Sequence, residues 1–291
     1  FGQRPFIFTP PEGYESLSSA NLEPSSIINP RRHFECLTYT GDGSSNNRVT
    51  GLQFKPDLVW IKSFSASSDH IVQDTVRGNF ILYPNRTDAD GATGGGWVKS
   101  FNPDGFTTDV NGPINTNGAT YAAWCWKAGG NSNTFNVDGV GYASASAAGI
   151  TDGTVPLTGA SVNRKAGFSI VTYDGNADGN STFGHGLNQA PEIFFLKSRD
   201  NSENWRVYYT IVDGSNDFMY LNTTGTVNHS GYALPNSTVI NKADDNGESM
   251  IAYCWHSVPG YSAFGYYKGN ATGGPNNIGG PFVYTGFKPA F

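Results

Sequence analysis

Pro56-Asp57-Leu58-Val59-Trp60-Ile61-Lys62-Ser63 is echoed about 135 residues later by Pro191-Glu192-Ile193-Phe194-Phe195-Leu196-Lys197-Ser198. Both stretches run proline, acid, four apolar residues, lysine, serine. A short apolar run rich in branched and aromatic side chains, opened by proline and closed by polar residues, reads as a buried β-strand. Proline can begin such a strand but cannot donate to a ladder within it. The spacing is domain-sized and far longer than a solenoid period.

The echo extends in both directions. Leu37-Thr38-Tyr39-Thr40-Gly41-Asp42-Gly43 answers to Val171-Thr172-Tyr173-Asp174-Gly175-Asn176, and Ala122-Ala123-Trp124-Cys125-Trp126 to Ile251-Ala252-Tyr253-Cys254-Trp255. A third copy opens at Tyr267-Lys268-Gly269-Asn270, and Gly286-Phe287-Lys288-Pro289 parallels Gly51-Leu52-Gln53-Phe54-Lys55-Pro56. The expected division is a first repeat at 34–127, a connector at 128–164, a second repeat at 165–260 and the start of a third at 261–291. The early stop of the third copy reads as a fragment of a longer polypeptide.

Composition sets the class. The 291 residues include 37 glycines, 14% aromatics and only two methionines, and no Glu lies between Glu35 and Glu192. Helices need Ala, Leu, Glu and Lys in quantity, whereas aromatics with Gly, Asn, Ser and Thr suit short strands and turns. Breaks such as Gly41-Asp42-Gly43, Asn102-Pro103-Asp104-Gly105 and Asn111-Gly112-Pro113 are turn chemistry. Close-spaced strands with such turns predict an all-β chain of tandem antiparallel β-sandwich domains, jelly-roll-like. Strands are expected at Cys36–Thr40, Leu58–Lys62, His70–Asp74, Phe80–Tyr83, Trp97–Phe101 and Tyr121–Trp126, with the order repeated in the second unit. Residues 128–164, rich in Gly, Ala and Ser, read as a connector or a pair of edge strands, ordered by contact with another subunit or domain.

A net charge of −6 without a basic cluster argues against nucleic acid. No apolar run reaches the roughly 18 residues of a membrane helix. Cys125 and Cys254 occupy equivalent places, and Cys36 stands where the second unit has Ile170, so all three read as reduced core thiols. No CxxC spacing suggests zinc, and no cofactor is called for.

Phe1-Gly2-Gln3-Arg4-Pro5-Phe6-Ile7-Phe8-Thr9-Pro10-Pro11-Glu12-Gly13-Tyr14 resembles the closing strand and exit of a SPRY domain as found in phage fibre-like proteins. That makes 1–24 the remnant of a SPRY-like domain and 25–33 a linker. The repeat wording from Leu37 to Phe291 resembles a repeated β domain in tail-fibre-like virion proteins of marine and cyanobacterial phages. The resemblance implies a structural or adhesive part of a virion, tail fibre or appendage, used in host attachment. It also implies a homo-oligomer, commonly a trimer, with other tail or capsid proteins as neighbours. Competing readings are a carbohydrate-binding module of a secreted bacterial protein and a capsid-decorating protein.

No catalytic pattern stands out, and the chain reads as a non-enzyme. His33, His70, His185, His229 and His256 lack paired metal spacing. Asp88-Ala89-Asp90-Gly91 and Asp244-Asp245-Asn246-Gly247-Glu248 lack the order of an EF-hand loop and match ordinary turns. Asp42, Asp88, Asp90 and Asp104, the carboxylates a glycosidase could use, sit in turns. Tyr208, Tyr209, Tyr232, Tyr261, Tyr266 and Tyr267 are candidates to stack on a surface glycan, the alternative being that they pack in the core or an interface.

Overall fold

The computed structural model describes residues 26–92, 97–110, 113–151, 153–178, 181–242, 247–270 and 281–285. The SPRY-like segment at 1–24 and much of the third copy lie outside the described residues. After a short 3-10 turn at Pro30–Arg32, the first unit runs β1 (Phe34–Thr40), β2 (Asn47–Thr50), β3 (Leu58–Ser63), β4 (Ile71–Asp74), β5 (Phe80–Leu82), β6 (Gly91–Ala92), β7 (Val98–Asn102), β8 (Gly105–Thr108) and β9 (Thr120–Trp126). The chain continues through β10 (Phe135–Val137), β11 (Val140–Tyr142), β12 (Leu157–Asn163), β13 (Phe168–Asp174), β14 (Thr182–Gly184), β15 (Ile193–Ser198), β16 (Arg206–Tyr209), β17 (Asp217–Tyr220), β18 (Asn228–His229), β19 (Val239–Asn241) and β20 (Ser249–Trp255). The class is all-β, and among the described residues every strand pair but β10–β12 is antiparallel.

The first unit's large sheet has the order β1-β9-β3-β4-β5-β6, with β2-β8-β7 as a smaller sheet. In the second unit β13-β20-β15-β16-β17-β18 repeats that order within a nine-stranded sheet, and β14-β19 stands where β2-β8 stood. Register agrees residue by residue: Val59 faces Cys125 across β3–β9, and Phe194 faces Cys254 across β15–β20.

The polar residues of the echo explain why it recurs. Asp57 accepts from the backbone N–H of Ala128 at 2.7 Å, and Glu192 accepts from that of Ser257, so each acid caps the chain two residues beyond its strand partner. The lysine turns back on the following loop: Lys62 Nζ donates to the carbonyls of Ser63 and Ser68, Lys197 Nζ to those of Ser198 and Asn201. The serine hydroxyl then receives the N–H three residues on, Ala66 to Ser63 and Asn201 to Ser198. Burial lowers the Lys197 ammonium to about 8.

Three cores fill the spaces between layers. Val49, Val59, Ile61, Phe106, Ala123 and Cys125 pack between the first unit's two sheets. Tyr173, Phe183, Phe194, Ile240, Ala252 and Cys254 do the same in the second unit. A third core joins Leu58, Trp60, Val72 and Trp126 to Phe168, Ile170, Phe195, Trp205, Tyr253 and Trp255. The two large sheets therefore pack face to face, giving small sheet, large sheet, large sheet, small sheet. The two repeats thus share a packed face and not only a linker. The cause is in the strands: Leu58 and Trp60 point to one side, Val59 and Ile61 to the other, and both sides are apolar.

The 128–164 stretch is not a bare connector. It carries β10, β11 and β12, and β12 pairs with β13, extending the second unit's large sheet at its edge. Its partner is thus within the same chain. Cys125 and Cys254 are buried, but Cys36 is exposed. Ile170 is covered in the inter-sheet core, while its counterpart Cys36 lies on the edge strand β1.

Candidate functional site

The six tyrosines do not converge. Tyr208 is buried and stacks on Phe194 at 4.7 Å, against the core of the second unit, so it is not an available platform. Tyr209 is also buried. Tyr261 packs beside Ile27, Ala166 and Val258 and meets the His33 ring edge-on, clasping the end of the second unit to the start of the first. Only Tyr266 and Tyr267 are widely exposed, at 62% and 67%, and they follow β20 at the far end of the described chain.

One region does gather chemistry. Strand pairing sets Tyr209 opposite Asp217 and Asp217 opposite His229, so the three side chains stand abreast on one face of the β16-β17-β18 edge. Asp217 Oδ1 lies 2.9 Å from His229 Nδ1, with the carboxylate 6% exposed and the imidazole 83% exposed. Burial, then Asp217 and Asp213, raise the Tyr209 hydroxyl, which stays protonated. Beside them Asn216 donates through Nδ2 to the Ala233 carbonyl at 3.2 Å, while its Oδ1 is buried with no partner among the described residues. Ser230 ties the loops together, donating to the Asn216 carbonyl and accepting from the Tyr232 N–H. Lys242 lies 5.5 Å over the Tyr232 ring.

Such a group can exchange hydrogen bonds with a polyhydroxylated ligand. The wet His229 imidazole donates or accepts, and the buried Asp217 carboxylate orients it. The tyrosines alone pointed to this edge from sequence. Asp217 and His229 were not legible, because their meeting depends on the pairing of two short strands across a loop.

The other charged group of note lies between the large sheets. Arg77 donates to Asp74 Oδ2 and to Asp90 Oδ1, both at 2.7 Å, and Arg199 holds the second oxygen of Asp90 at 2.6 Å. Tyr253 donates to Asp74 Oδ2 at 2.7 Å. Burial opposes the Arg77 charge, but Asp74, Tyr253 and Asp90 outweigh it and raise the guanidinium further. Asp90 and Asp104, weighed as glycosidase or calcium candidates, are thus ion-paired, the latter with Arg48 at 2.6 Å. Asp88 pairs with Arg86. Asp244 and Asp245 fall outside the described residues. Among the described residues no cluster of three or more His, Cys, Asp or Glu is placed to hold a metal ion.

His185 is fixed as a neutral ring. Its Nδ1 accepts from the Leu187 N–H at 3.2 Å and its Nε2 reaches the Asn236 carbonyl at 3.1 Å, an arrangement that puts the single proton on Nε2. Burial lowers it to about 4.

No curated protein and no solved structure matches the chain. One family does, and its match crosses both repeats, the strands at 128–164 and the residues beyond β20. Over residues 29–291 the chain belongs to the family DUF7483, described as a domain of unknown function.

Proposed function

We propose that this chain is a rigid, non-catalytic β module whose work is mechanical and adhesive. The observation that carries the reading is the four-layer stack. The charged groups between its large sheets, Asp74, Arg77 and Asp90, are engaged in holding sheet to sheet, and the polar residues of the repeated motif cap loops. In the setting implied by the repeat wording, the module belongs to a phage tail fibre or appendage on the extracellular particle. It assembles there as a homo-oligomer, a trimer, beside other tail or capsid proteins. Its receptor is a host-surface glycan, and the Asp217–His229 edge supplies the hydrogen-bonding groups for sugar hydroxyls.

Competition tests this. The purified chain, added to host cells ahead of the particle, is expected to lower adsorption in proportion to dose, and Asp217→Ala of unchanged melting temperature to compete less well. Adsorption unaffected at saturating chain, together with no binding of the labelled chain to cells, overturns the reading. Sedimentation of the chain gives the subunit number independently.

A further inference from the structure

The loop after Ala128 packs back against the first unit and leaves a cleft of about 220 Å³ between them. Lys55, Thr75, Asn79, Lys99, Phe101 and Asn131 are among the residues that line it, and none of the lining side chains is acidic. Two lysines lining one cleft stand out on a chain of net charge −6, and their positive charge draws anions locally. Lys99 is turned by neutral acceptors only, the Ser45 carbonyl at 3.2 Å and Asn46 Oδ1 at 2.9 Å, which leaves a third donor. Lys55 has no counterpart in the second repeat, where the residue before Pro191 is Ala190.

The walls are held in advance. Asp57 accepts from Thr75 on one side through Oδ1 and from the Ala128 and Gly130 N–H groups on the other through Oδ2, so one buried carboxylate fixes both walls. The Gln73 side chain bonds the Gly78 carbonyl and both the N–H and carbonyl of Val98, which fixes the floor. Asn131 is steadied by donating to the Gly139 carbonyl at 3.2 Å. Preorganised walls reduce the ordering cost of binding. The volume is below the ~300–1,000 Å³ typical of sites for drug-sized ligands, and suits one sugar ring.

We propose that this cleft binds a single acidic sugar unit of the uronic-acid type. Lys55 and Lys99 take the carboxylate, Thr75, Asn79 and Asn131 the hydroxyls, and the half-buried Phe101 ring offers a face to the sugar's C–H groups. The site is separate from the Asp217–His229 edge and does not depend on where the chain is mounted.

Calorimetric or NMR titration of the chain with glucuronate, glucose, acetate and inorganic phosphate tests the assignment. Glucuronate is expected to bind, with glucose at least roughly tenfold weaker, because a hydrogen bond to a charged group is the stronger kind. The double variant Lys55→Gln, Lys99→Gln is expected to lose roughly tenfold or more in glucuronate affinity with an unchanged melt. Asp217→Ala is expected to leave glucuronate binding as it was. Acetate or phosphate binding as tightly as glucuronate overturns the sugar assignment in favour of a simple anion hole. Glucuronate affinity untouched in the double variant, or no binding to the parent chain, overturns the site.

Discussion

Arg77 Nη2 donates to the hydroxyl of Tyr253 at 3.1 Å, joining side chains 176 positions apart across the plane where the two large sheets meet. The same hydroxyl donates to Asp74, so guanidinium, phenol and carboxylate form one closed group. Removing a partner from a buried ion pair leaves an uncompensated charge, and that typically costs about 3–5 kcal/mol. Arg77→Ala should therefore lower stability by roughly that amount in a urea melt. Tyr253→Phe removes hydrogen bonds but no charge and should cost about 1–3 kcal/mol. Equal, small losses in both variants would show that the network is solvated and of little consequence.

The third core packs the two units against each other and should make them unfold as one body. Trp205, buried at the centre, donates from Nε1 to the Tyr83 carbonyl of the first unit at 2.9 Å. Trp205→Ala is expected to cost about 3–5 kcal/mol and to destabilise both halves together. Fluorescence and far-ultraviolet dichroism should report one coincident transition in the parent chain. Two separated transitions would contradict a shared core.

His185 makes stability depend on pH in a defined window. Its folded value, about 4, is lower than the unfolded value of 6.5, so between them the unfolded chain binds the extra proton. Stability should be level above about 6.5 and fall as pH drops toward 4, by up to roughly 3 kcal/mol. His185→Gln should flatten that part of the profile. An unchanged slope in the variant would assign the acid sensitivity to other groups.

Gly184 on β14 is fixed by close approach. A Cβ there would lie 1.8 Å from the Thr151 carbonyl oxygen, a backbone atom of the stretch preceding β12. Gly184→Ala should destabilise by about 1–3 kcal/mol, the usual cost of overpacking. A neutral melt would mean that the 145–155 loop is free to move aside.

The all-β class was legible because aromatics, glycine and turn residues leave little for a helix to use. The echo was legible because every polar residue in it is tied to a backbone group, as Asp57 is to Ala128 and Lys197 to Asn201. The face-to-face packing was harder to see. An uninterrupted apolar run in Leu58–Ile61 says that both faces are covered, but not that the cover on one side is the other repeat. The β10–β12 strands were obscured by small residues, which pack closely while giving little apolar periodicity. The Asp217–His229 pair rests on the pairing of two short strands, and the Lys55–Lys99 cleft on loops meeting β7, and residue order does not encode such meetings.

Trp126 and Trp255 hold the same place in the two repeats, and their rings touch edge to face at 6.4 Å. Contact between like residues is what occurs beside the axis of an isologous dimer. Here both halves belong to one polypeptide, so the broad apolar face that a lone repeat would expose to aggregation meets its own likeness at an effective concentration set by the intervening chain. Duplication has turned a concentration-dependent association into an intramolecular one. Two separately expressed halves, divided in the loop near Ser132, should find each other and restore the four layers without a covalent link.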